Sequence, residues 1–184
     1  MPTSLNNARE RMEKALDALR REFAGVRTGK ASPALLDTVR VEAYGSHMPI
    51  NQVGAVTAPE PRLLTVQPWD KSLIKAIERA IRESDLGLNP SNDGNLIRIP
   101  IPQLTEERRR EYVRLLHKLA EEGRVAIRQA RQHANDDIRR RQKEGELSED
   151  DARKAQDQVQ KLTDEYVHKV DDLLKKKEAE VMEV

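Results

Sequence analysis

Six side chains in the C-terminal half of the chain have the chemistry to hold a phosphate backbone. Arg110, Arg114, His117, Arg124, Arg128 and Arg131 recur at steps of three, four or seven residues, the spacing that places side chains on one helix face. A guanidinium presents a rigid fork of donors that matches two phosphate oxygens, and it stays charged at any physiological pH. Glu121 is the one acid in that register. A charge run is commonly just a solvated helix surface, but dominance of arginine over mixed charge turns this one toward nucleic-acid backbone binding.

Other chemistry is poorly represented. The four histidines, His47, His117, His133 and His168, form no pair at metal-ligand spacing. Carboxylates lie four residues from bases, as in Glu10 and Lys14, the pattern of a solvated helix rather than of an acid–base pair. Gly25, Gly29 and Lys30 narrowly miss a phosphate loop. Three residues rather than four separate the glycines, and Ala31 stands where Ser or Thr must reach magnesium. No nucleophile elbow, cofactor motif or metal set is found, and the reading is of a binding protein without catalytic residues.

The arginines need a long support. Thr105 to Gly145 reads as one uninterrupted helix, with Thr105 as N-cap, Glu106 and Glu107 in the first turn and Gly145 as the stop. Tyr112, Leu116, Leu119, Ala126, Ala130, Ala134 and Ile138 give it an apolar seam. The arginine stripe is displaced from that seam by two residues, about 200° around the axis, and so is expected to face away from the core. Gly123 within the helix costs up to about 1 kcal/mol against alanine and marks either a close approach of RNA or nothing at all. So long a helix needs partners. Leu5, Ala8, Met12, Ala15, Leu19, Phe23 and Val26 supply one, in a helix from about Ser4 to Val26. Ala152, Ala155, Val159, Leu162, Tyr166, Val170 and Leu173 supply another, opened by a capping box at Ser148.

Between the first two helices the pattern changes to mixed α/β. Val39, Val41 and Ala43 alternate with polar residues, Gly45-Ser46 marks a turn, and Val53–Thr57, Leu63–Gln67 and Leu96–Ile101 read as strands. Asp70 caps a helix carrying Leu73, Ile74, Ile77, Ala80 and Ile81. Trp69 is read as a packing residue of this small core, with an exposed stacking platform as the alternative. The fold class is therefore α+β: an elongated antiparallel three-helix bundle, residues 1–29 and 105–184, with a small β/α/β domain inserted at 30–104. Joints at 28–33 and 100–105 are short and rich in Gly and Pro. Gly29, Ser32 and Pro33 on the way in, and Pro102, Gln103, Leu104 and Thr105 on the way out, are the expected hinge of a bent molecule.

Composition agrees. Of the 184 residues 35% are charged and only 3% are aromatic, which suits long helices better than a thick globule. The net charge of +1 conceals an asymmetry. Glu106 to Lys143 holds twelve Lys/Arg against seven Asp/Glu, and Glu146 to Val184 reverses those numbers, so a polyanion partner fits the first segment. No cysteine is present, which excludes disulfides and thiol chemistry and fits a reducing compartment. With no apolar membrane run or signal core, the expectation is an untargeted cytoplasmic protein, monomeric and without a membrane partner. A coiled-coil adaptor that binds protein is the rival reading, and it leaves the basic/acidic asymmetry and the inserted domain unexplained.

Four long irregular segments carry a resemblance across essentially the whole chain. VRTGKASPALLD (26–37), SDLGLNPSNDGNLIRIPIPQLTEERRR (84–110), RVAIRQARQHAND (124–136) and SEDDARKAQDQVQKLTD (148–164) resemble the bacterial ribosome recycling factor family. The resemblance implies an L-shaped, tRNA-sized molecule. It also implies a translation factor that, with elongation factor G and GTP, splits the post-termination ribosome, binding the 50S subunit and its 23S rRNA through the bundle. The family's rRNA-contacting arginines would fall on Arg128, Arg131 and Arg27. Lys30 stands where arginine is usual, which keeps the charge but loses the bidentate fork. Arg110, Arg114 and Arg124 join the set from the stripe alone.

Overall fold

The N-terminal apolar spacing closes into helix α1, Thr3–Ala24, in the computed structural model of the chain, which describes residues 3–183. Leu5, Ala8, Met12, Leu16, Leu19 and Phe23 are its buried face. Leu16 takes the core position expected for Ala15, which lies half-buried beside it.

The chain then enters a separate compact unit, Arg27–Arg109; the residues up to Val26 and from Arg110 onward form the other. The division falls three residues before the expected entry boundary and five after the expected exit boundary. Strands β1, Arg40–Ala43, and β2, Ser46–Pro49, make an antiparallel hairpin. Its turn is Tyr44-Gly45 rather than Gly45-Ser46, and both residues have positive φ, 51° and 79°, the two-residue turn that matches strand twist. The alternation before the turn announces β1. The second strand has an exposed or half-buried pattern and gave no such signal.

A four-stranded antiparallel sheet follows in the order β3-β4-β6-β5, with β3 Gly54–Glu60, β4 Leu63–Pro68, β5 Ser91–Asn92 and β6 Ile97–Pro100. Leu64 faces Ile99 and Val66 faces Ile97 across β4 and β6, and all four are fully buried. β3 runs on through Pro59 to Glu60, past the expected end at Thr57. This is an edge strand whose register shifts between Thr57 and Glu60, and an edge or bulge tolerates the missing N–H. Helix α2, Ile74–Glu83, follows a short 3-10 turn that Asp70 caps through the Ser72 N–H at 2.9 Å. Ile74, Ile77 and Ile81 join the small core.

Trp69 does not. Its backbone N–H donates to Val53 O at 3.2 Å, but its side chain is turned outward and the residue is 68% exposed. Aliphatic side chains already fill the small core, so the bulk of an indole finds no vacancy there.

Helix α3, Glu106–Lys143, has 38 residues and is about 57 Å long. Thr105 Oγ1 accepts from the Arg108 N–H at 3.2 Å as its cap. At the far end Gly145, φ +80°, lets the Glu146 N–H turn back to Arg141 O at 2.8 Å. Helix α4, Glu149–Met182, starts at the Ser148 cap, whose hydroxyl accepts from the Asp151 N–H at 3.1 Å. α1, α3 and α4 share one core. Two polar ties cross it: the Tyr166 hydroxyl donates to Glu13 at 2.5 Å, and the Ser4 hydroxyl donates to Asp137. Burial and the Glu13 bond push the Tyr166 pKa up to about 12.

Candidate nucleic-acid interface

The seam of α3 decides where its arginines point. The buried positions are Leu116, Ala120, Ile127, Ala130, Ala134 and Ile138. Leu119 and Ala126, expected in the seam, are half-buried on its margin, as is Tyr112. Three basic residues of the stripe therefore follow a core residue directly: His117 after Leu116, Arg128 after Ile127, Arg131 after Ala130. One residue is about 100° of helix, so the stripe flanks the core instead of standing opposite it. The expected half-turn came from placing Ala126 where Ile127 belongs.

That flank borders α4. Arg124 donates to Asp171 Oδ1 at 2.6 Å through Nη2 and at 3.0 Å through Nε. His117 Nε2 lies 3.2 Å from Glu178 Oε2, and Arg131 Nη1 reaches Gln160 Oε1 at 3.4 Å. Partners on α4 rise in number as those on α3 fall, as antiparallel neighbours require. The acidic excess of α4 is thus partly spent on α3, and the charge asymmetry of the two segments is not wholly available to an outside polyanion.

The arginines separate on this basis. Arg124 has only 19% of its side chain exposed and is gripped by both Asp171 and Glu121, at 2.6 and 3.2 Å. Burial works against its charge, but the hydrogen bonds to Asp171 and Glu121 outweigh it and hold the pKa above the ordinary guanidinium value. Arg128 shares Glu121 at 3.2 Å with 48% of its side chain exposed. Arg131 is bonded only to the neutral Gln160, and neither it nor Arg114 pairs with a carboxylate among the described residues. Arg114 is exposed. Arg110 is also exposed, and it keeps contacts of its own. From Arg110 to Arg131 the stripe runs about 31 Å along the helix axis.

Arg27 and Lys30 lie in the smaller unit. Arg27 is half-buried and Lys30 exposed. The two connecting segments run side by side there. Gly29, φ +77°, would place a Cβ 3.5 Å from Leu104 Cγ. Arg62 holds the exit segment, with its Nη1 donating to Gln103 at 3.3 Å and its carbonyl accepting from the Ile101 N–H at 2.8 Å. Ser32 accepts from the Ala34 N–H at 3.3 Å and caps the turn that Pro33 begins. Pro102 and Thr105 are exposed.

Gly123 has a structural explanation. A Cβ there would lie 3.3 Å from Leu19 Cδ2, so the close approach is that of α1 and not of a ligand. Glu121 is visible in the sequence as an acid in the stripe. Its bond to Arg128 and the Asp171 bond to Arg124 were not, since the latter joins residues 47 apart. Among the described residues no cluster of His, Asp and Glu is placed to hold a metal ion, and no helix is long and apolar enough to cross a membrane.

Comparison with known proteins gives this geometry its setting. The family model described as ribosome recycling factor matches residues 19–182. The ribosome-recycling factor of Rubrobacter xylanophilus is 59% identical over 180 residues, covering 98% of this chain and 97% of its own. That of Symbiobacterium thermophilum is 57% identical over the same shares. A solution structure of a ribosome recycling factor superposes with a TM-score of 0.80 at 45% identity, over 98% of this chain and 96% of that one. A second structure describes the T. thermophilus ribosome recycling factor with E. coli elongation factor G, bound to the E. coli post-termination complex. It matches at TM-score 0.69 and 52% identity, over 98% of this chain and 97% of that one. With sequence, length and fold in agreement along nearly its whole extent, the chain belongs to the ribosome recycling factor family.

Proposed function

We propose that the chain disassembles the post-termination ribosomal complex together with elongation factor G and GTP, gripping 23S rRNA of the 50S subunit through the basic flank of α3. Family membership carries the general task, ribosome recycling in partnership with elongation factor G, and makes the chain a translation factor rather than an enzyme. The finer reading rests on one observation above others: Arg114 and Arg131 stand on one flank of a rigid helix without a carboxylate partner among the described residues. Phosphate can occupy those guanidinium forks without displacing an internal acid. Arg128 contributes by exchanging Glu121 for phosphate. Arg124 holds α4 beside the stripe and acts mainly as a strut. Arg27, Lys30 and Arg110 extend the contact.

In this reading the joint at Gly29, Ser32 and Pro33 and at Pro102, Gln103, Leu104 and Thr105 is a hinge. The bundle stays fixed on rRNA while the small domain moves under the push of elongation factor G. The protein works as a monomer in the cytoplasm, with no cofactor.

The test is polysome breakdown. Puromycin-treated polysomes are mixed with the chain, elongation factor G and GTP, and resolved on a sucrose gradient. Conversion to monosomes and subunits only with all components present supports the reading. Ribosome binding without breakdown, given a matched elongation factor, would retain the RNA contact and discard recycling by this mechanism.

A further inference from the structure

Near the N-terminal end of α1 that helix and α3 enclose a hollow of about 230 Å³. All the residues around it belong to the bundle unit. Its floor is made by Ala8 of α1 and by Ala130 and Ala134 of α3, all three buried. A methyl group stands at each place where a longer side chain would fill the space. The hollow lies on the α1 side of α3, whereas Arg124 and Arg131 of the stripe reach partners on α4.

Three donors border the hollow with no partner of their own. Asn7 and Arg11 stand one turn apart on α1, and His133 lines the same space from α3. None of these three side chains makes a hydrogen bond or an ion pair among the described residues. The acids nearest them in the chain are engaged elsewhere, Glu10 with Lys14 at 2.9 Å and Asp136 with Arg139 at 3.5 Å.

We propose that Asn7, Arg11 and His133 bind a small phosphate-class anion in this hollow. The site stands apart from the recycling reading and does not depend on it. The Arg11 guanidinium supplies a charged fork for two oxygens of a tetrahedral anion. His133 offers an N–H in either protonation state, and the Asn7 amide offers two more. Asp137 is the one acid lining the hollow, and its oxygens are already committed. Oδ1 accepts from Arg140 at 2.6 Å, and Oδ2 accepts from Arg141 at 3.0 Å and from the Ser4 hydroxyl. Arg140 also holds Glu144 at 2.8 Å, so that wall is neutral in sum and Arg11 sets the sign of the site.

Size selects the ligand. Pockets for drug-sized molecules run to about 300–1,000 Å³. This hollow is smaller, with polar tips above a floor of methyl groups, and it suits inorganic phosphate or pyrophosphate rather than a whole nucleotide. An anion held from both sides links α1 to α3 and favours the folded bundle by mass action. A phosphate of an RNA backbone has the same chemistry, and the test separates the two sources.

Inorganic phosphate, and pyrophosphate in a parallel series, are titrated into the full chain at neutral pH and constant ionic strength while the histidine ring protons are followed by NMR. The chain has four histidines, and the signal lost in His133→Gln identifies the one that matters. A saturable shift confined to His133, with pyrophosphate bound more tightly than phosphate, is the expected result. No shift, or a non-saturating drift of all four signals, would overturn the site. An RNA oligonucleotide that moves His133 where both free anions do not would assign the hollow to an RNA backbone and overturn it equally.

Arg11→Gln keeps a helix-forming residue and removes the charged fork. It is expected to weaken phosphate binding by about tenfold, the scale of one charge-assisted hydrogen bond. Arg131→Gln removes the same charge from the α4 side and should leave the midpoint within about twofold of the parent. Equal losses in the two variants would mean that phosphate senses only the general charge of the bundle, and the site would be rejected.

Discussion

The guanidinium of Arg124 lies 2.6 Å from the carboxylate of Asp171 on the neighbouring helix, while Arg131, seven residues along the same face, meets only the amide of Gln160. Two arginines alike in sequence therefore begin from different states. Binding phosphate through Arg124 means first giving up a hydrogen-bonded ion pair. Binding through Arg131 gives up one long bond to a neutral group. Arg131→Ala is expected to weaken large-subunit binding about tenfold and to lower the slope of log K against log salt by about one. Arg124→Ala is expected to leave that slope nearly unchanged and to cost about 1 kcal/mol of stability instead. Filter binding across a salt series, beside urea unfolding, separates the two; equal slopes for both variants would reject the ranking.

Gly123 offers a prediction about packing. Its hypothetical Cβ meets Leu19 Cδ2 at 3.3 Å, so a larger residue must push α1 or turn the leucine. Gly123→Val is expected to destabilise the chain by about 1–3 kcal/mol, the range for overpacking. The ribosome affinity of the folded fraction should stay at the parent value. A variant of full stability that lost ribosome binding would show that Gly123 faces RNA after all.

Asp137 sets an acid limit on the bundle. The Ser4 hydroxyl, then Arg140 and Arg141, stabilise its charged form and hold its pKa below the ordinary carboxylate value. A carboxylate depressed in the folded state contributes stability above its unfolded pKa and loses that contribution as the pH falls through the folded one. Asp137→Asn should therefore cost about 1–3 kcal/mol at neutral pH, and the gap to the parent should close in the acid range, below the unfolded carboxylate value. Urea unfolding at a series of pH values measures this. A gap that stayed constant into acid would mean that Asp137 acts by packing and not by charge.

The fold was legible where a period ran long enough to be read. The seams of α1, α3 and α4 recur over many turns, and the caps at Thr105 and Ser148 use side chains within three residues of the groups they bind. What the sequence concealed was mostly non-local. β5 is two residues long and exists through its pairing with β6. Pro59 is tolerated because β3 lies at an edge, a property of strand order. Trp69 is exposed because other side chains fill the core. The stripe's angle was misjudged over a single residue, since Ala126 and Ile127 both suit a seam and only three-dimensional packing chooses between them. For the candidate site, the positions of the arginines were legible and their availability was not. Arg124 and Asp171 are 47 residues apart, and no local pattern pairs them.

Gly29 supplies the last prediction. Its φ of +77° is a conformation that L side chains rarely adopt, whereas its Cβ position is only in ordinary contact with Leu104. Alanine would therefore be penalised by its backbone, by about 1–2 kcal/mol, and not by crowding. The penalty applies to the joint in its present conformation and vanishes in any in which φ becomes negative. If the joint is a hinge, Gly29→Ala shifts its balance of conformations while leaving the α3 arginines untouched. The expected outcome is a changed rate of polysome breakdown with large-subunit affinity within about twofold of the parent. Leu104→Ala relieves the contact without altering φ at position 29, so it should affect breakdown less. A Gly29→Ala protein that recycled at the parent rate, despite the measured loss of stability, would show that the joint keeps one backbone conformation through the cycle and that motion, if any, arises elsewhere.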